Sequence, residues 1–176
     1  KTRYFLALTD FFAGDFEFSA IQLKSLGRQY RSYYANDALA LRLWLQQIES
    51  LDSTSTTVHE FPTAVLNMYQ GKIDSAKTKL WKLSTTQDLF SAISMELLYE
   101  VEDDLPFYLE NLDSYLAAMQ SRSLKEQLLW LRARTASHLL ESDEYDFSVE
   151  TVYTYYEQLV LEFPSGFYGP MAREKL

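Results

Sequence analysis

Residues 13–39 read AGDFEFSAIQLKSLGRQYRSYYANDAL, and residues 142–173 read SDEYDFSVETVYTYYEQLVLEFPSGFYGPMAR. Phe16-Glu17-Phe18-Ser19-Ala20 matches Tyr145-Asp146-Phe147-Ser148-Val149 position by position. Each stretch continues into apolar residues at helical spacing and an aromatic-rich turn. Ala38 or Ala172 then falls early in the next helix. Gly71-Lys72-Ile73-Asp74-Ser75-Ala76 is a weaker third copy. Two antiparallel helices joined by a tight turn need a small residue there. The second helix needs another, Ala20 or Ala76, where it crosses its neighbour. One such pair cannot bury its apolar face alone, so pairs stack.

Outward from these stretches the apolar spacing is helical nearly everywhere. Tyr4, Phe5, Leu8, Phe11 and Phe12 stripe a first helix that Gly14 ends in a left-handed conformation. A second runs from about Phe16 to Tyr30, with Phe16, Ala20, Leu23, Leu26 and Tyr30 on one face. Asn36 or Asp37 is the expected cap of a third, whose Leu41, Leu45 and Ile48 form one face. That helix also carries Leu39, Leu43 and Trp44, so it is expected to be covered on more than one side. Asp52-Ser53-Thr54-Ser55-Thr56-Thr57 reads as a loop, because each side chain competes for backbone hydrogen bonds.

Beyond the loop, Phe61, Val65, Met68 and Tyr69 stripe a helix with Pro62 in its first turn, and Gly71 ends it. Four more follow: Ile73, Ala76, Leu80, Leu83; Phe90, Ile93, Leu97, Val101; Leu105 to Met119 behind Asp103-Asp104; and Leu124, Leu128, Leu131, Leu139. Val149, Val152, Tyr156, Leu159 and Phe163 mark a ninth, stopped by Pro164-Ser165-Gly166, and Tyr168–Leu176 opens a partial tenth. Nowhere does the period-2 alternation of a half-buried strand occur.

The Gly, the aromatic residue opening the second helix, and the Ala four positions on resemble the tetratricopeptide repeat family. Ala13-Gly14-Asp15-Phe16 with Ala20 fits the pattern; Gly71-Lys72-Ile73 with Ala76 fits with one residue fewer; Val149 departs from it at the Ala. Asn36-Asp37-Ala38-Leu39, Asp52-Ser53-Thr54, Gln70-Gly71 and Phe163-Pro164-Ser165 with Ala172-Arg173 are similar to the C-terminal parts of large bacterial repeat proteins. The resemblance covers most of residues 10–176. It implies an all-α fold: a right-handed superhelical solenoid of antiparallel helix pairs, about nine helices plus a partial tenth, in one domain over residues 1–176. It also implies a bacterial periplasmic or envelope location. Helices two, five and nine each look like the second of a pair. An odd number of steps separates two from five, so a slip or kink is expected at residues 49–60, near the third helix or the polar loop. Because the sequence opens at Lys1 without methionine, it reads as a segment of a longer protein. Tyr4, Phe5, Phe11 and Phe12 would then pack on a preceding repeat.

Composition narrows function. The 176 residues are 47% hydrophobic and 23% charged, an ordinary folded composition. Lys and Arg total 16 against 25 Asp and Glu, a formal charge of −9, which speaks against nucleic acid and against an anionic membrane surface. No apolar run approaches the length of a membrane span. There is no cysteine, so thiolate catalysis and cysteine-ligated metals are absent. Glycines at 14, 27, 71, 166 and 169 make no phosphate loop. No serine sits in a nucleophile elbow. His59 and His138 lack a His partner at i+3 or i+4, so a metal pair is not expected. Glu100, Glu102, Asp103 and Asp104 lack the glycine and alternate spacing of a calcium loop. They read as a solvated helix end, with Asp103 or Asp104 as cap. No catalytic, cofactor or metal residue is therefore assigned.

Charge is unevenly spread. Residues 86–120 hold eight acidic residues and residues 141–163 hold seven, with no Lys or Arg in either. Between them lies a helix with Arg122, Lys125, Arg132 and Arg134. The plain reading is solubility plus weak salt bridges. The sharper one is an acidic groove attracting a basic partner segment. Among Tyr153, Tyr155 and Tyr156, at least one should be exposed. The expected function is a non-enzymatic scaffold binding a partner protein or peptide on its first-helix face. A structural spacer in an envelope array is the alternative, and a helical enzyme a distant third.

Overall fold

A computed structural model describes residues 2–26, 33–51, 55–86, 89–142 and 145–176. These residues form ten helices and no strand. In order they are α1 (Thr2–Ala13), α2 (Phe16–Leu26), α3 (Ala35–Ser50), α4 (Thr57–Tyr69), α5 (Ile73–Ser84), α6 (Leu89–Tyr99), α7 (Leu105–Ala118), α8 (Arg122–Glu141), α9 (Val149–Glu162) and α10 (Gly169–Arg173). The expected all-α class and the short tenth helix are both present. Tyr30 and the loop residues Asp52-Ser53-Thr54 lie outside the described residues. The chain divides into two compact units, Lys1–Lys79 and Leu80–Leu176.

The glycine stops behave as the sequence predicts. Gly14 and Gly71 take φ of 83° and 70°, which costs little without a Cβ. Each closes a two-bond cap: Gly14 N–H and Asp15 N–H donate to the carbonyls of Phe11 and Asp10, and Gly71 N–H and Lys72 N–H to those of Met68 and Asn67. Asp104 caps α7, its Oδ1 accepting from the Phe107 N–H at 3.0 Å, with Pro106 in the first turn.

Four local expectations are corrected. α3 begins at Ala35 with Tyr34 as its cap, so Asn36 and Asp37 sit inside the first turn and cap nothing. Leu39 and Leu43 are exposed, so α3 within its own unit is covered on the Leu41–Leu45–Ile48 side and not all round. α4 begins at Thr57, which puts Pro62 in its second turn; the ring leaves the Val58 carbonyl without its helical donor. The matched pentapeptides also differ. Phe16 opens α2 directly after the Gly14 cap, whereas Tyr145–Phe147 precede α9, whose cap is Ser148, accepting from the Glu150 N–H at 3.2 Å. Likeness of sequence there does not produce likeness of structure, because each helix starts where its own cap can satisfy its first N–H groups.

In the Lys1–Lys79 unit, α1 and α2 form an antiparallel pair, α3 packs on α2, and α4 packs on α1. The small residue at the α1–α2 crossing is Ser19, not Ala20. Ser19 is fully buried and its hydroxyl donates to the Ala7 carbonyl at 2.7 Å, while Ala20 is half-buried. Ser19→Ala is expected to lose about 1 kcal/mol and Ser19→Leu, which must spread the pair, about 2–3 kcal/mol, read by chemical denaturation. The core is aromatic. Phe11 is fully buried among Phe12, Phe16, Trp44 and Phe61, and Tyr4 stacks on Tyr34 at 5.2 Å. Tyr4 and Phe11 are thus covered within this unit. Of the four residues expected to meet a preceding repeat, Phe5 stays exposed, with Leu6 beside it.

In the Leu80–Leu176 unit, α6 packs on α7 and α8, α7 on α8, α8 on α9, and α9 on α10. α8 is the hub. Leu128, Leu129, Leu131, Ala133, Thr135, Ala136 and Leu139 are all buried and run round most of its circumference. Tyr108 is buried beside it, its phenol donating to the Met95 carbonyl at 2.7 Å; burial raises its pKa above the usual phenol range.

Candidate interaction grooves flanking α7

α7 carries the chemistry of the second unit on its two flanks. Its residues Pro106, Leu109, Glu110 and Asp113 face a cavity of about 520 Å³, closed by Leu139 of α8 and by Tyr145, Asp146 and Phe147 ahead of α9. Leu109 and Leu139 are buried and form an apolar floor. Three carboxylates, Glu110, Asp113 and Asp146, stand at its wall. Asp146 lies 33 residues beyond Asp113 and 36 beyond Glu110, and the three meet because α7 and the segment before α9 both border Leu139 of α8.

The carboxylates are not equivalent. Asp113 accepts from Arg132 at 3.2 Å, and the Tyr155 hydroxyl reaches its other oxygen at 3.5 Å. Among the described residues, Glu110 and Asp146 have no ion-pair partner, and both are exposed. Arg132 is nearly buried. It also donates to Gln158, lies 4.0 Å over the Tyr155 ring, and leaves its Nε without a partner. Burial, then the Asp113 charge, push the Tyr155 phenol up. Gln158 continues the chain to Glu162, which Lys125 meets at 2.7 Å; hydrogen bonds from Gln158 and then Lys125 hold the Glu162 carboxyl below its ordinary value.

The other flank of α7 faces a second cavity, of about 480 Å³, walled by Trp81 of α5, Met95 of α6, and Phe107 and Tyr115. Trp81 and Phe107 meet edge to face at 5.3 Å, and the Trp81 N–H donates to Glu102 at 3.0 Å. Ser114 borders both cavities.

The four basic residues of α8 all find partners. Beside Arg132 and Lys125, Arg122 reaches the Glu162 carbonyl at 3.4 Å and Arg134 lies 4.8 Å over the Tyr99 ring. Two of these contacts, Arg132–Asp113 and Lys125–Glu162, are salt bridges of the kind the plain reading expects; Glu110 and Asp146 are exposed, without an ion pair among the described residues. The acidic run ahead of α7 is spent on structure: Glu102 accepts from Trp81 and from the Asp103 and Asp104 N–H groups, and Asp104 is the cap of α7. His59 and His138 are exposed on α4 and α8, and neither is among the described residues lining the two cavities. No group of three potential ligands for a metal occurs among the described residues. No helix there is long and apolar enough to cross a membrane. Of the three tyrosines on α9, Tyr153 is exposed, Tyr155 half-buried and Tyr156 buried, as their spacing requires.

No family model, curated protein or solved structure matches the chain.

In sequence the acidic runs read as blocks, and Glu110 and Asp146 do not stand apart from their neighbours there. The available signal was negative: Glu110 and Asp146 have no Lys or Arg near them in sequence. Which acidic residues α8 would neutralise depends on helix packing and could not be read from order alone.

Proposed function

We propose that this chain is a non-enzymatic interaction scaffold that holds a basic segment of a partner protein in the groove between α7 and the segment before α9. One observation carries this reading. Among the described residues, Glu110 and Asp146 have no cation beside them at the rim of an apolar-floored cavity of about 520 Å³. An Arg or Lys suits such a site, since its methylene stem covers apolar surface while its head meets the carboxylates. The charge of −9 favours encounter with such a segment. The scaffold itself is proposed to be a stack of antiparallel helix pairs of the tetratricopeptide kind. The contacts of α6 with both α7 and α8, and of α8 with α9, support that reading for the second unit. In such pairs α7 is the second helix, so the groove lies on the second-helix side and not on the first-helix face that the sequence pointed to. A bacterial envelope location remains part of the proposal through the family resemblance alone.

The test is a double variant, Glu110→Gln with Asp146→Asn, titrated with Arg-containing peptides. Each screened charge contributes modestly, so binding should weaken by about tenfold in all. Wild-type binding should also fall as salt shortens the Debye length. Equal affinity of wild type and double variant would refute the assignment.

The spacer reading keeps one observation of its own: Phe5 and Leu6 on α1, with Phe18 and Ile21 on α2, are exposed large apolar residues. A neighbouring element of a longer array would cover them.

A further inference from the structure

The second cavity on α7 gives the groove a reading frame. We propose that one extended segment of the partner crosses α7 at Ser114, placing a basic residue in the acidic cavity and a large apolar residue in the Trp81–Phe107 cavity. This deepens the scaffold reading and rests on it.

The occupant of the second cavity follows from where its polar groups already point. The hydroxyls of Ser84, Thr85 and Ser114 donate to the carbonyls of Trp81, Lys82 and Glu110, and the Asn111 amide donates to the Phe107 carbonyl. The Trp81 N–H is held by Glu102. With those protons spent, the walls present rings and thioether: the faces of Trp81 and Phe107, and Met95. A charged or strongly polar side chain entering there would lose water and recover fewer hydrogen bonds than water gives it, since most of the hydroxyl and ring donors are already used. An aromatic or aliphatic one loses nothing comparable and gains contact with preorganised rings.

The crossing follows from α7 itself. At 100° per residue, Leu109, Glu110 and Asp113 fall on one flank and Asn111, Tyr115 and Ala118 on the other, with Ser114 between them. Ser114 is exposed, so the crest between the cavities carries a small side chain at that level and a peptide backbone can pass close above it. A helix is about 10 Å across; an extended chain of the polyproline II kind advances about 3.1 Å per residue and returns to the same face every third residue, so two anchors that both point at α7 stand three positions apart. Charge fixes the order across the helix: the basic end lies over Glu110 and Asp146, the apolar end over Trp81.

Three peptides in a Gly/Ser background test this, titrated by NMR against the whole chain. One has Arg alone; one has Phe three positions from Arg; one has Phe adjacent to Arg. The spaced peptide should bind about tenfold to hundredfold more tightly than Arg alone, and the adjacent one should not share the gain. Ala118→Phe, which fills the second cavity from an exposed position, should remove that gain and leave the Arg-only peptide unchanged. Thr85→Trp, from the turn after α5, should do the same, and circular dichroism checks that both variants keep their helix content. The double variant Glu110→Gln with Asp146→Asn should weaken all three peptides alike. If all three bind equally and all depend on Glu110 and Asp146, the crossing is overturned and the scaffold reading stands. If none binds in a way that depends on those two carboxylates, both fall.

Discussion

Replacing Phe11 by alanine is expected to remove about 3–5 kcal/mol of unfolding free energy from the Lys1–Lys79 unit, the largest single loss foreseen there. Phe11 has no exposed surface, and its ring lies within 6.4 Å of four others: Phe12 and Phe16 near the α1–α2 turn, Trp44 of α3 and Phe61 of α4. It is the residue at which all four helices meet. Truncation leaves a cavity walled by flat, stiff rings that do not collapse into it, which places the cost high in the range for aromatic truncations. Hydrogen exchange read separately over α1–α4 is the suitable measurement, since a chain of two compact units has no single well-defined unfolding free energy. Phe5→Ala is the control. That ring is 43% exposed, and its loss should stay under about 1 kcal/mol. Comparable losses for the two variants would mean that the aromatic core is misplaced.

Arg132→Ala should cost the second unit about 2–4 kcal/mol, the largest loss foreseen for a charged residue there. Arg132 ties three helices together: Asp113 of α7, Gln158 of α9 and the Tyr155 ring, from a nearly buried position on α8. Its removal opens a gap and takes the donor from Gln158. The Asp113 ion pair itself is the smaller part, because that carboxylate side chain is 40% exposed and can hydrate when left alone. Arg132→Met separates the contributions. It keeps the stem packed and should lose about 1–2 kcal/mol. Hydrogen exchange read over α6–α9 in the three proteins side by side checks this order. If the methionine variant lost as much as the alanine variant, charge and not packing would dominate the site. Either variant also frees Asp113 at the wall of the acidic cavity, so an Arg peptide should bind the methionine variant at least as well as the wild type.

The pattern of successes and corrections has a physical cause. The Gly14 and Gly71 stops and the Asp104 cap were legible because each acts within five residues, through backbone groups that sequence order alone brings together. Ala20 was misread for the opposite reason. The family pattern places a small residue near the crossing, but only the docking angle of α1 on α2 decides that Ser19 is the one pressed against Ala7. α8 shows the same limit. Its Arg and Lys residues say nothing of its depth, and its Leu and Ala residues fill the centre of the second unit. Long basic side chains can reach out from a buried helix, so charge count is a poor guide to depth.

The order of residues by itself determined that this protein is helical, where most of its helices stop, and that it carries an excess of negative charge. Those properties come from periodicity, caps and composition, all of them local or additive. The tertiary structure alone decided which carboxylates α8 neutralises, leaving Glu110 and Asp146 without an ion pair among the described residues, and that α7 lies between an acidic cavity and an aromatic one. Those depend on how helices distant in sequence dock, and docking is a balance over many weak contacts that no short stretch encodes.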